Sequence, residues 1–145
     1  MVKIYHNYGK PLTNYNGIWY TCIMKWIKQK KGMRNCGQIA IAVATNTPYK
    51  KIVKLMKHEN GTYTSDLVRV LRKLGYKCPN RLKVFKKNKP QLAIARLTYP
   101  HKSNYHCVAI DGNKIYDGCY GNKKGKVKWD KGWRITSYLP IKEKK

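Results

Sequence analysis

The segment that decides the fold is Cys36-Gly37-Gln38-Ile39-Ala40-Ile41-Ala42-Val43-Ala44-Thr45. It is apolar on nearly every face of a helix, and its small alanines allow neighbouring elements to approach closely. We therefore predict a buried helix that begins at Cys36. A cysteine at a helix N-terminus lies in the positive field of the helix dipole, which lowers the pKa of its thiol. Arg34 and the nearby lysines act in the same direction.

Two more helices are predicted after this segment. Thr47-Pro48 is a helix-start signal, an N-cap residue followed by a proline at the first turn. Thr64-Ser65-Asp66 opens a third helix, in which leucines and valines recur at spacings of three and four. Gly75 follows its last apolar residue and is expected to end it.

Short extended segments begin at residue 81. We predict an edge strand at 81–89, where apolar and basic residues alternate, and further strands at 92–97, 105–110, 114–117, 126–129 and 133–139. Asp111-Gly112-Asn113 has the composition of a hairpin turn. Helices first and antiparallel strands second predict an α+β fold, with the N-terminal helices packed on a C-terminal antiparallel sheet.

The chain is predicted to form a single domain over residues 1–145. Its length fits one hydrophobic core, and it contains no internal repeat and no Pro/Ser-rich linker. Residues 1–17, which include Gly9, Pro11 and Gly17, are predicted to form an irregular arm. Residues 18–27 are rich in apolar side chains and fit either a short helix or a strand.

The charge balance is strongly basic. Lys and Arg number 32 against 6 acidic residues, a formal net charge of +26. Folding does not need such an excess, so it indicates a polyanionic partner: nucleic acid, an anionic membrane surface or an acidic protein. A basic composition bias across a tolerant surface explains it equally well.

The cysteines argue against a metal site or a disulfide framework. The five cysteines contain no C-x-x-C pair, and the spacing of Cys107 and Cys119 around His106 matches no zinc pattern. We therefore predict reduced thiols, no metal and no cofactor. The N-terminus lacks the apolar core of a signal peptide, and no stretch approaches the ~20 apolar residues of a membrane span. The expected location is intracellular (cytoplasmic) or packaged in a virion.

Three residues in chain order suggest nucleophilic catalysis. A cysteine hydrolase needs a thiolate at an exposed helix N-terminus, a base within hydrogen-bond reach and a group that orients the base. Cys36 supplies the first. His106 lies within a predicted strand, and Asp117 ends the strand paired with it. Several papain-like hydrolases share this Cys-His-Asp order.

The same residues resemble the double-glycine leader peptidases, which process bacteriocin precursors. Cys36-Gly37 resembles the Asp-Cys-Gly start of their helix, and residues 52–76 resemble their second and third helices. Tyr105-His106-Cys107-Val108-Ala109-Ile110 resembles their His-aromatic-Val-Val strand, and Ile115-Tyr116-Asp117 resembles their Asp-Pro segment. The resemblance covers residues 29–121 and implies a papain-like fold there.

The resemblance also implies roles for individual residues. Cys36 would be the nucleophile, His106 the base and Asp117 the group that orients it. The family places an oxyanion-hole Gln before the Cys, and Gln29 precedes Cys36 by a similar interval. Gln38 is the weaker candidate because it lies along the helix. The expected partner is a peptide or protein, cleaved at a peptide or isopeptide bond after glycine residues.

Two alternatives remain open at this stage. A basic protein associated with nucleic acid, or a structural protein of a virion, would keep the same fold and use its charged surface. The stand-alone domain and its Lys/Asn/Tyr bias look like a phage or large-virus product. A hydrolase that cleaves peptidoglycan would use the same Cys-His order.

Overall fold

The computed structural model describes residues 13–15, 18–20, 24–86, 90–99 and 105–143. Its three helices are α1 (Cys36–Thr45), α2 (Tyr49–Met56) and α3 (Thr64–Lys73). The strands are β1 (Thr13–Tyr15), β2 (Ile18–Tyr20), β3 (Tyr76–Lys77), β4 (Lys83–Val84), β5 (Leu92–Thr98), β6 (Tyr105–Asp111), β7 (Lys114–Tyr116), β8 (Arg134–Pro140) and β9 (Lys142–Glu143). The predicted α+β class is confirmed.

Five strands form the main sheet. Their order is β4-β8-β5-β6-β7, and every neighbouring pair is antiparallel. In the β5–β6 pair, Arg96 lies opposite Cys107 and Leu97 lies opposite His106. The β5–β8 pairing shifts register between Arg96 and Leu97. Two short antiparallel pairs, β1-β2 and β3-β9, lie outside this sheet.

Helix α1 is buried along its whole length after its first residue. Residues 37–45 are all buried, and the helix packs against β6 and α2. It ends at Asn46, whose left-handed backbone (φ 50°) lets its N–H reach the carbonyls of Ala42 and Val43. The predicted buried helix, with Cys36 as its first residue, is confirmed.

Helices α2 and α3 are held together by a side-chain cap. Arg69 on α3 donates hydrogen bonds to the carbonyls of Leu55 (2.9 Å) and Met56 (3.3 Å) at the C-terminus of α2. These carbonyls lack partners within the helix, so the cation satisfies them. At the start of α3 the Asp66 carboxylate accepts the N–H of Tyr63 (3.0 Å). Gly75 follows α3 with φ +90°, as predicted for a helix end.

Both faces of the central strands are buried. Leu92, Ile94, Cys107, Ala109 and Leu139 belong to the core cluster that includes α1. The alternate residues of β5 and β6 form a second cluster, Ala93, Ala95, Val108 and Ile110. Burial on both faces explains why these strands are almost continuously apolar instead of alternating.

Several predicted boundaries need correction. Residues 126–129 do not form a strand, because their segment folds back as a loop around the Asn122 side chain, which accepts the N–H groups of Lys124 and Lys126. An isolated antiparallel bridge joins Gly121 and Val127 in this segment. The predicted edge strand at 81–89 is reduced to β4, which does lie at the sheet edge; residues 87–89 are outside the described residues.

The N-terminal segment is partly extended. Residues 1–12 and 16–17 of the predicted irregular arm lie outside the described residues, but Thr13–Tyr15 is strand β1. It pairs with Ile18–Tyr20, so the ambiguous segment 18–27 begins as a strand. Among the described residues, no helix combines the length and the apolar character that crossing a bilayer requires.

Gly37 tests the close packing of α1. A Cβ there would collide with the Thr62 side chain, whereas a Cβ at Gly61 would meet open space. Alanine favours a helix by up to about 1 kcal/mol over glycine, so Gly37→Ala would stabilise the protein without the collision. We expect instead a loss of about 1–2 kcal/mol, because overpacking outweighs propensity. Urea unfolding measures the change in the free energy of unfolding, with Gly61→Ala as the control. Equal stability of the two variants would contradict the close contact between Gly37 and Thr62.

Candidate active site

Cys36 is held at the start of α1, beside strand β6. The preceding residue, Asn35, is buried and donates to the Tyr49 hydroxyl at 2.7 Å, which fixes the entry into the helix. The backbone N–H of Cys107 points at the Cys36 sulfur, 3.4 Å away. An N–H donor favours a negatively charged sulfur. The first N–H groups of a helix also lack intrahelical partners, so the helix start adds positive potential.

His106 and Asp117 form a buried pair. The Nε2 atom of His106 lies 2.7 Å from Oδ1 of Asp117, and the two residues are 5% and 0% exposed. The same Oδ1 accepts the backbone N–H groups of Cys119 (2.8 Å) and Tyr120 (3.2 Å). Oδ2 accepts the indole N–H of Trp129 at 2.8 Å. With Nε2 committed to Asp117, Nδ1 is the ring nitrogen that faces other partners.

The surroundings of this pair stabilise its charged form. Burial alone would raise the pKa of Asp117, but the hydrogen bonds from His106, Trp129 and the Cys119 amide lower it below its usual value. Burial would likewise lower the pKa of His106. Its hydrogen bonds with Asp117 and Cys36, and their charges, outweigh burial and raise the pKa of His106 to about 9.

The Cys36 thiol is the acidic one among the described cysteines. A hydrogen bond with the Cys107 side chain is the largest cause; burial opposes it, and the hydrogen bond and charge of His106 add to it, so the pKa of Cys36 falls to about 4. Burial raises the pKa of Cys78 and, with the Asp117 charge, brings the pKa of Cys119 to about 11. The pKa of Cys107 also lies well above its ordinary value, through its hydrogen bond with Cys36 and its burial. A thiolate–imidazolium pair therefore exists between about pH 4 and pH 9.

Gln29 lines the same cleft as Cys36 and His106. Its backbone N–H donates to the Gly118 carbonyl (2.9 Å), and its Nε2 donates to the Met33 carbonyl (2.8 Å). Its Oε1 accepts from the Cys119 thiol (3.2 Å). These bonds fix the amide beside the loop that carries Asp117. Because a carboxamide nitrogen has two hydrogens, the bond to Met33 engages one of them.

Gln38, the weaker sequence candidate, has a structural role. Its side chain is fully buried, and Nε2 donates to the carbonyls of His58 (3.0 Å) and Asn60 (2.9 Å). It is not among the residues that line the cleft. Gln38 thus ties α1 to the loop between α2 and α3, and of the two amides only Gln29 lies at the site.

Sequence reasoning missed several groups around His106. Trp129, which donates to Asp117, was assigned only to a strand. Tyr99 stacks on the imidazole at 6.3 Å, Tyr120 meets it edge-on at 6.2 Å, and Trp133 packs against both tyrosines. No local pattern marks these residues, since they come from three separate loops and strand ends. Together they shield the ring from water.

A metal ion suits this cluster poorly. Ligand atoms of His106, Asp117 and Cys119 lie within 4.8 Å of one another, the candidate group found among the described residues. However, His106 and Asp117 bind each other directly, and the Cys119 thiol donates to Gln29, so these ligand atoms are engaged with partners in the protein. The arrangement fits a His-Asp pair better than a metal centre.

The Cys36 sulfur opens onto a cleft of about 440 Å³. Its walls combine the sulfur and imidazole with small, aromatic and basic residues: Gln29, Met33, Arg34, Cys36, Gly61, Thr62, Tyr63, Arg96, Tyr99, Tyr105, His106 and Cys107. This volume lies within the range of ligand-binding clefts in proteins.

Two tryptophans provide a matched test of the Asp117 carboxylate. Trp129 donates to its Oδ2 and Trp26 donates to the Asp117 backbone carbonyl, each at 2.8 Å. Trp129→Phe removes a donor from the charged carboxylate and should raise the pKa of Asp117 toward its usual value. Trp26→Phe should leave the pKa of Asp117 unchanged. NMR titration of the Asp117 carboxyl group measures both, and equal shifts in the two variants would contradict the assignment.

Compared with known proteins, the chain matches no protein-family model, and no similar sequence emerges among curated proteins. The geometry of Cys36, His106, Asp117 and Gln29 is therefore the basis on which a function can be inferred.

Proposed function

We propose that this protein is a papain-like cysteine peptidase that cleaves a peptide or isopeptide bond. One observation carries the proposal: His106 binds the buried Asp117 carboxylate through Nε2 at 2.7 Å and lines the same cleft as Cys36. A nucleophile, a base and a group that orients the base are thus gathered at one site. A structural histidine would not need an acidic thiol beside it.

The charge state of the pair sets the reaction sequence. The Cys36 thiolate attacks the carbonyl carbon, and the oxyanion that forms accepts hydrogen bonds from the Cys36 N–H and the second Nε2 hydrogen of Gln29. The His106 imidazolium then gives its proton to the departing amine, which leaves a thioester on Cys36. Neutral His106 next removes a proton from water, the hydroxide displaces the sulfur, and the free thiolate and imidazolium return.

The substrate follows from the resemblance and from the cleft. Residues 29–121 resemble double-glycine leader peptidases, whose substrates carry small residues before the scissile bond. Within the described residues, Gly61, Thr62 and Tyr63 line the cleft that contains Cys36. A substrate with glycine before the cleaved bond is the form of the proposal that we would test first.

Thiol labelling tests the ion pair directly. At pH 6 a low dose of iodoacetamide should modify Cys36 stoichiometrically, because its pKa is about 4, while Cys78, Cys107 and Cys119 stay protonated. The labelling rate should fall by about tenfold or more in His106→Ala, since the cation that holds the thiolate is lost. Peptide mapping by mass spectrometry identifies which cysteine is labelled. Equal, slow labelling of all cysteines would exclude a catalytic thiolate.

Hydrolysis should show a bell-shaped pH profile. The rate rises as Cys36 ionises near pH 4 and falls as His106 loses its proton near pH 9. The assay uses quenched fluorogenic peptides with Gly-Gly before the scissile bond, and peptidoglycan sacculi as a second substrate.

Cys36→Ser should abolish hydrolysis, and Asp117→Asn should reduce it by about a hundredfold or more, because the imidazole loses its orienting charge. Cys78→Ser, which lies beside Arg72 and is not among the residues that line the cleft, is the matched cysteine control and should keep full activity. Release of sacculus fragments without peptide cleavage would contradict the peptidase and support a hydrolase that cleaves peptidoglycan. Cleavage that survives Cys36→Ser would reject this site altogether.

A further inference from the structure

Arg96 has one guanidinium nitrogen, Nε, that is buried without a partner among the described residues. It lies on β5 directly opposite Cys107, the residue whose N–H contacts the Cys36 sulfur. The residue as a whole is half-buried. Leaving a buried polar atom unpaired is costly, and more so when the group is charged. Arg96 also lines the cleft that contains Cys36, so a ligand there that carries acceptors would meet its side chain.

Contacts on the neighbouring strand hold this guanidinium in place. Its central carbon lies 5.1 Å from the centre of the Tyr105 ring, across the β5–β6 pair. A planar cation stacked on an aromatic face loses less freedom when it binds a ligand than a free lysine would. A guanidinium fork can form two parallel hydrogen bonds with a carboxylate.

The cleft around Arg96 is basic. Arg34 and Arg96 both line it, and none of its lining residues within the described part of the chain is acidic. The described ion pairs of the protein involve Arg69, His58 and His106, not Arg96. The positive charge of His106 already balances the negative charge of the Cys36 thiolate. Arg96 therefore adds positive charge to the cleft beyond what this pair needs.

We propose that Arg96 is a specificity residue that binds a carboxylate of the substrate beside the scissile bond. The inference rests on the proposed function for its substrate, a peptide. The carboxylate belongs either to an acidic side chain or to the C-terminus of the peptide, and the geometry of a guanidinium fork recognises both.

Two alkylating reagents test the site without any peptide. Iodoacetate carries a carboxylate and iodoacetamide is its neutral analogue, and with each the Cys36 thiolate displaces iodide. We expect the ratio of the iodoacetate rate to the iodoacetamide rate at Cys36 to fall about threefold or more in Arg96→Gln. The measurement is made in about 0.5 M NaCl, which screens the distant charges of this basic chain.

Arg81→Gln is the matched control, because it removes the same charge from an exposed position outside the cleft. Its rate ratio should equal that of the unmodified protein. Arg96→Lys keeps a cation without the fork, so its ratio should be intermediate, and it replaces the glutamine variant if that variant does not fold. A ratio unchanged in the folded Arg96 variants, or lowered equally by Arg81→Gln, would overturn the proposal.

Peptides then distinguish the two sources of the carboxylate. A cleaved Gly-Gly peptide is compared with versions that carry Glu or Gln at each flanking position, and with free or amidated C-termini. A preference of about tenfold for Glu at one position, lost in Arg96→Gln, identifies a side chain; the same loss for the free C-terminus identifies that carboxylate. Cleavage with neither preference would reject the role of Arg96 and leave the peptidase standing. If no peptide is cleaved, the proposed function fails, and the alkylation ratio still decides whether Arg96 binds carboxylates.

Discussion

The N–H group of Cys107 lies 3.4 Å from the sulfur of Cys36, and this contact joins the first turn of α1 to strand β6. Residues 37–45 of α1 are buried on all sides, so the helix has little freedom to slide or rotate against the sheet. The position of the sulfur is therefore set by core packing and not by a flexible loop. His106 precedes Cys107 in β6, so the packing that fixes the sulfur also fixes the imidazole.

The charge of Asp117 depends on a set of donors that the fold brings to one point. His106, Trp129 and the amides of Cys119 and Tyr120 all donate to its two oxygens, and the residue has no exposed surface. A carboxylate buried without such donors would take up a proton. The donors keep it ionised, Asp117 keeps the imidazole protonated, and the imidazolium adds to the effect of Cys107 in keeping Cys36 a thiolate. Helix packing thus fixes the Cys36 sulfur, and the loop around Asp117 fixes the His106 ring beside it.

The three helices and the strands β4 to β8 were predictable because their signals are local. The start of α1 at Cys36, the end of α3 before Gly75 and the hairpin around Gly112 each follow from residues within one or two turns of chain. The strand predicted at residues 126–129 was wrong. Alternating apolar and polar side chains suggested a strand, but the Asn122 side chain accepts backbone N–H groups in this segment and holds it as a loop. The sequence ranked Gln29 above Gln38 as the candidate oxyanion-hole amide. Only their burial and contacts showed that Gln29 lies at the site and that Gln38 does not.

By itself, the sequence determined an α+β chain with a buried helix headed by Cys36 and with His106 and Asp117 on later extended segments, because periodicity, caps and turns are properties of neighbouring residues. Only the tertiary structure decided what surrounds them: the Cys107 amide on the sulfur, Trp129 on the carboxylate and, in the cleft, Arg96, whose Nε has no partner among the described residues. These contacts join residues that are 12 to 71 positions apart or lie on neighbouring strands. Strand register and core packing bring them together, and neither is encoded in any short stretch of the chain.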